Sequence, residues 1–171
     1  MPFPRRLPRG TRLLVAFLLF AVPGLGCSGS SPSEPGGSGP SPASVEASAV
    51  ARVNESRRGD GKGELLLDPM LSEMARAYSR RMRDEGFFGH VDPQGGGLVD
   101  RLRGAGIGFS IVGENLAQVG GVSDPAAVAH RMLMENAAHR ANILDARFTE
   151  VVIGVAQRDD TYWMTQVFLR P

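Results

Sequence analysis

Apolar and polar residues follow one another along this chain in blocks of different period. LLVAFLLFAV (13–22) is an unbroken apolar run of ten residues, closed by Pro23 and Gly24. A bilayer-spanning helix needs about 20 apolar residues, so the run is short for a span and fits the hydrophobic stretch of an export signal. Residues 28–44, SGSSPSEPGGSGPSPAS, are almost entirely Ser, Gly and Pro. Such a segment cannot bury enough apolar area to offset its ordering entropy, and it reads as a flexible tether.

From residue 45 the periodicity becomes that of packed elements. Val45, Ala49, Val50 and Val53 fall at helical spacing in VEASAVARVNESR (45–57). Asp68 and Pro69 then mark a second helix start. Behind them Met70, Met74, Tyr78 and Met82 recur every four residues, with Leu71 and Ala75 alongside. Arg76, Arg80 and Arg83 take the opposite side and Gly86 ends the run, which predicts an amphipathic helix. Its methionine stripe reads as core filling. GLVDRLRGAG (97–106) predicts a short helix closed by glycine. FSIVGENLAQV (109–119) mixes extended residues with a central Gly-Glu-Asn. SDPAAVAHRMLMEN (123–136) opens on another Asp-Pro pair and carries Val128, Met132 and Leu133 as its apolar face. EVVIGVAQRD (150–159) is apolar on both faces, as a central strand is, while TYWMTQVFLR (161–170) alternates. Together they predict an antiparallel hairpin, although its Asp159-Asp160 turn lacks the favoured glycine. The order predicts a layered α+β domain over 45–171.

Charge changes the picture at the N-terminal end. The whole chain carries a net +1, but Arg5, Arg6, Arg9 and Arg12 precede the apolar run and no acid precedes Glu34. Without residues 1–26 the balance is 15 basic against 18 acidic residues, a mildly acidic protein with no nucleic-acid footprint. Cys27 is the only cysteine, so no intramolecular disulfide is available and the domain must hold by packing. It directly follows GLG (24–26), which resembles the lipobox of bacterial lipoproteins, with Gly24 where those prefer Leu and Leu25 one step late. On this reading residues 1–27 are a signal ending in a lipidated cysteine that attaches the chain to a membrane. The alternative is ordinary cleavage nearby and a secreted protein. Ser28 resembles the residue that follows the cysteine in lipoproteins sent to an outer membrane.

Candidate chemistry is sparse. The chain has three histidines: His90 in FFGHVDP, His130 within the helix predicted over 123–136, and His139 in MENAAHRANIL. Glu114 lies in VGENLAQ. There is no HExxH, paired CxxC, GxSxG or GxxxxGK[ST]. Two imidazoles and a carboxylate are the residue types of an open zinc site, but spacing alone does not bring His90, Glu114 and His139 together. Each has an ordinary alternative: a turn residue, a solvated strand carboxylate, and a helix-end donor to a backbone carbonyl.

Several separated segments together resemble one family: VNESR (53–57), LLLDPMLSEMARAYSRRM (65–82), FFGH (87–90), GENLAQ (113–118), AAHRANIL (137–144), FTEVVIGVA (148–156) and YWMTQVF (162–168). In this order they resemble the CAP superfamily (cysteine-rich secretory proteins, antigen 5, pathogenesis-related 1), or SCP-like domain, in its bacterial cysteine-free branch. The resemblance implies a three-layer α-β-α sandwich with a central, mainly antiparallel sheet. It also implies a cleft that gathers two histidines and two acidic residues and holds a divalent metal in some members. The residues that match are His90, His139 and Glu114. The second acid falls near Asn136, where bacterial members often have Ser, and a usual Trp is Leu133. Glu135 is adjacent, but successive helical residues point about 100° apart. His130 matches no family site and reads as a helix-face residue, while Arg140 and Asn142 read as structural, fixing a turn after the helix.

The expected function is an exported, lipid-anchored binding or interaction module of a bacterial envelope. Its domain is expected to be monomeric, its cleft taking a divalent metal such as zinc on His90 and His139, with Glu114 as a third ligand. The further partner is a small lipid-like ligand or an envelope protein. A purely architectural role ranks second. A metal-dependent hydrolase of peptide, ester or glycan ranks third, with the same three residues as its candidate catalytic set.

Overall fold

At Gly154 two layers of the fold meet with no side chain between them: a Cβ there would land on the backbone of Ala75 and Arg76. Gly154 belongs to a strand and Ala75 to a helix, and the approach is held by Ser79, whose hydroxyl donates to the Gly154 carbonyl at 2.9 Å. The computed structural model describes residues 39–171; the apolar run, Cys27 and most of the expected tether lie outside the described residues.

The elements are α1 (Pro42–Gly59), β1 (Leu66–Leu67), α2 (Pro69–Glu85), α3 (Leu98–Gly104), β2 (Ile111–Gly120), α4 (Pro125–Glu135), α5 (Ala137–Leu144), β3 (Glu150–Arg158) and β4 (Thr161–Arg170). The strands form one sheet in the order β1-β3-β4-β2. β3 and β4 form the expected hairpin, closing at Arg158↔Thr161. Asp159 takes a φ of 54°, the left-handed conformation that Asp tolerates better than most residues, so the turn forms without glycine. β2 pairs antiparallel with β4 from Ile111↔Arg170 to Gly120↔Thr161. The two-residue β1, parallel to β3, is not foreseen by the sequence pattern.

Alternation along the strands sorts the core into two sides. Val151, Ile153, Val155, Met164 and Phe168 pack with Val45, Ala49 and Val53 of α1, Ala126, Ala129 and Leu133 of α4, and Ile143 of α5. Val152, Val167 and Leu169 point the other way, onto Ala75 of α2, and Leu116 joins Tyr78 and Met82. The result is the α-β-α sandwich expected from the resemblance.

Two boundaries differ from the sequence reading, at the start of α1 and at Asn136. α1 begins at Pro42 with Ser41 as its N-cap, so the last residues assigned to the tether, 42–44, are helical. The inner face of α2 follows the expected spacing, with Ala75, Tyr78 and Met82 buried and Leu71 and Met74 partly buried against the core, and the small Ser72 and Ser79 are buried beside them. The run 123–144 is not a helix followed by a turn. Asn136 breaks it with a ψ of 122° and caps a separate α5, its side-chain oxygen accepting from the N–H groups of Ala138 and His139.

Candidate functional site

The Gly-Glu-Asn triplet of β2 explains how both layers converge on one strand. Gly113 faces α5, and a Cβ there would stand 3.0 Å from Asn142 Oδ1 and from Phe148, so glycine lets that layer close in. Glu114 opposes Val167 and therefore faces the α2 side. Asn115, opposite Gln166, faces the α5 side again.

Glu114 has a side chain only 4% exposed. Its Oε1 is 2.8 Å from His90 Nδ1, and its Oε2 accepts from Arg101. Arg101 comes from α3; its guanidinium lies 3.4 Å from the Tyr78 ring centroid and donates to the His90 carbonyl at 3.2 Å. Tyr78 Oη in turn donates to the Gly89 carbonyl at 2.6 Å. The FFGH loop is thus pinned by an arginine and a tyrosine, and Glu114 is matched by a permanent cation.

On the other side, Asn115 Nδ2 donates to the His139 carbonyl at 3.1 Å. Asn142 Nδ2 donates to Asn115 Oδ1 at 2.9 Å and to the Glu114 carbonyl at 3.2 Å. From α1 the buried Arg57 donates to the carbonyls of Ile143 and Asp145 at 2.8 and 2.9 Å, satisfying the C-terminal end of α5. These bonds fix the short helix that carries His139. Its imidazole is held below the ordinary histidine value by burial first and then by His90.

His139 and Asn136 line a cavity of about 570 Å³ whose walls include Phe88, Leu116, Val119 and Leu133. Asn136 lies at the cavity, but its oxygen is committed to capping α5. Glu135 is exposed and lies outside this lining. His130 lies elsewhere and is more than a helix-face residue: its Nε2 is 2.7 Å from Ser56 Oγ, tying α4 to α1. Burial, then the Arg52 charge, hold it below the ordinary histidine value, with Glu55 opposing.

The donor set does not fit a three-ligand metal centre. Both Glu114 oxygens are taken and Arg101 sets a positive charge beside them. Among the described residues no group of three or more His, Cys, Asp or Glu side chains is placed to hold a metal ion. Arg101 and Arg57 are the residues the sequence reading missed as parts of this site. A basic residue on a helix ordinarily reads as a solvated face, and only the position of Arg57 within VNESR marked it out.

The family model described as cysteine-rich secretory protein family, CAP, matches residues 50–168. The Bacillus subtilis protein YkwD is 35% identical over 131 residues, 75% of this chain and 49% of that protein. A crystal structure of an extracellular protein containing an SCP domain from Bacillus anthracis superposes with a TM-score of 0.61 at 30% identity, covering 78% of this chain and 45% of the other. An outer surface protein from Borrelia burgdorferi shares the fold, with a TM-score of 0.65 at 15% identity over 74% of this chain and 92% of its own. This chain spans about half the length of the two Bacillus proteins.

Proposed function

The chain belongs to the cysteine-rich secretory protein (CAP) family, and from that premise we propose that it is an exported, lipid-anchored binding module whose cavity takes a small apolar or lipid-like ligand. What carries the reading is the cavity itself. Its volume of about 570 Å³ falls in the range of small-molecule sites, about 300–1,000 Å³. Its walls are mostly apolar, with His139 and Asn136 supplying a few polar atoms. The export run and Cys27 supply the anchor, and the mildly acidic remainder suits an envelope protein rather than a nucleic-acid binder.

The cleft works in this reading without a resident metal. A general base must lie within hydrogen-bond reach of its substrate, and Glu114 is buried and outside the cavity lining. Ser79 is buried and bonded to Gly154 and Thr165, which gives it no role as a nucleophile.

The test is a titration of the full chain with a pyrene-labelled fatty acid, alongside Gln118→Trp, which places an indole at the exposed edge of the cavity. Saturable binding lost in Gln118→Trp supports the reading; equal affinity in both proteins overturns it. A parallel zinc titration with His90→Ala and His139→Ala addresses the metal. Tight zinc binding lost in either variant would overturn the metal-free cleft.

A further inference from the structure

Among the described residues, five large apolar side chains stand about half exposed or more. Leu66 and Leu67 belong to the edge strand β1. Of the other three, two line the cavity and the third follows one of them in the chain. The two are Phe88 and Met132, 49% and 47% exposed, and Val91, 57% exposed, lies three residues beyond Phe88 on the same loop. The two FFGH phenylalanines divide the work: Phe87 packs edge-on against Tyr78 with ring centroids 5.9 Å apart, and Phe88 is left outside. Met132, on the apolar stripe of α4, points to the mouth instead of the core.

A separate observation fixes where the N-terminal segment joins the domain. Tyr162 Oη donates to the Pro40 carbonyl at 2.9 Å, and Gly39 lies so close to the same phenol that a Cβ would overlap it. Gly39 and Pro40 line a depression with Gly121, Asp160 and Tyr162, while the main cavity is lined by Gly120 and Thr161. These are adjacent residues on the same two strand ends, so the chain enters the domain beside the cavity. Eleven residues separate Cys27 from Gly39, a stretch that spans at most about 40 Å.

We propose that Phe88, Val91 and Met132 form a lipid-facing rim that seats on the anchoring bilayer and opens the cavity to it. The proposal rests on the anchored binding-module reading. A bilayer suits this rim better than a protein partner does, because Phe88 and Met132 line an open cavity rather than forming a continuous face. A protein would have to supply a protruding plug, whereas acyl chains reach into an opening, and the chain enters the domain beside that opening. Seating three half-exposed apolar side chains removes them from water in the way that surface-bound amphipathic segments do.

The experiment uses the full chain reconstituted into phosphatidylcholine–phosphatidylglycerol vesicles with brominated acyl chains. Phe88→Trp and Val91→Trp are read against Leu66→Trp, with the emission of Trp163 subtracted. The expected result is about a twofold loss of emission at 88 and 91, as for a side chain buried at the headgroup–acyl boundary, and none at 66. Equal quenching at 66 and 88 overturns the rim. So does no quenching at 88 while the chain cosediments with vesicles, a result that would leave the rim to a protein partner. Failure to cosediment removes the anchor and the proposal with it, while saturable uptake of the fatty-acid probe would still stand for the cavity.

Discussion

Arg101 and Glu114 form an interior ion pair, with side chains 11% and 4% exposed, and the second carboxylate oxygen is held by His90. A carboxylate so enclosed depends on its partners, because an unpaired buried charge costs far more than a surface one. Arg101→Met should destabilise the domain by about 3–5 kcal/mol. Glu114→Gln in that background should recover part of the loss, since the stranded charge is gone. Urea denaturation of the two single variants and the double variant checks this; strictly additive losses would mean the two residues are independent.

The pH dependence should come from His130 and His139. Both have proton affinities below the ordinary histidine value of 6.5, chiefly through burial. Below pH 6.5 the unfolded chain therefore binds protons that the folded protein resists. Stability is full above that pH and declines as pH falls through it toward the lowered folded-state values. His130→Gln should flatten the slope of unfolding free energy against pH between 7.5 and 5, because glutamine bonds to Ser56 without titrating. An unchanged slope would place the dependence elsewhere.

Asn142 should matter through its amide donors. It bonds Asn115 Oδ1 and the Glu114 carbonyl, so Asn142→Asp keeps the shape and removes the donors. A cost of about 1–3 kcal/mol is expected, the range for buried acceptors left without partners. Because Asn115 also holds the His139 carbonyl, the His139 ring resonances should shift in the NMR spectrum of this variant. Unmoved resonances would separate the amide network from the cavity.

Gly154→Ala tests the seam between sheet and α2. The obstacle to a Cβ is the backbone of Ala75 and Arg76, which cannot swing away as a flexible side chain can. A loss above about 3 kcal/mol or failure to fold is expected, at the upper end of overpacking effects. Gly59→Ala, where a Cβ meets nothing within 4 Å, is the matched control and should retain native stability.

Much of this fold is legible from periodicity because the signals are long. The hairpin rests on two strands of nine and ten residues, while its register was less legible, because the first strand is apolar on both faces and the turn lacks glycine. β1 escapes notice because two exposed leucines carry no periodic signal. The split at Asn136 escapes because an asparagine at that position suits a helix cap as well as a helix end, and only backbone geometry separates them. The candidate residues His90, Glu114 and His139 were visible as types in separated motifs. What closes Glu114 was not, since a salt bridge between α3 and β2 leaves no mark on spacing. His130 shows the same limit: nothing in its helix announces the serine 74 residues away.

The bond from Tyr162 to the Pro40 carbonyl has a mechanical consequence. Tension arriving along the chain from the N-terminal side meets β4 before it can unwind α1 from Pro42. β4 is paired on both edges, with β3 and with β2, so the load would spread across the centre of the sheet rather than peel away an outer layer. The chain is thus coupled, where it enters the domain at Pro40, to the strand that is hardest to pull out.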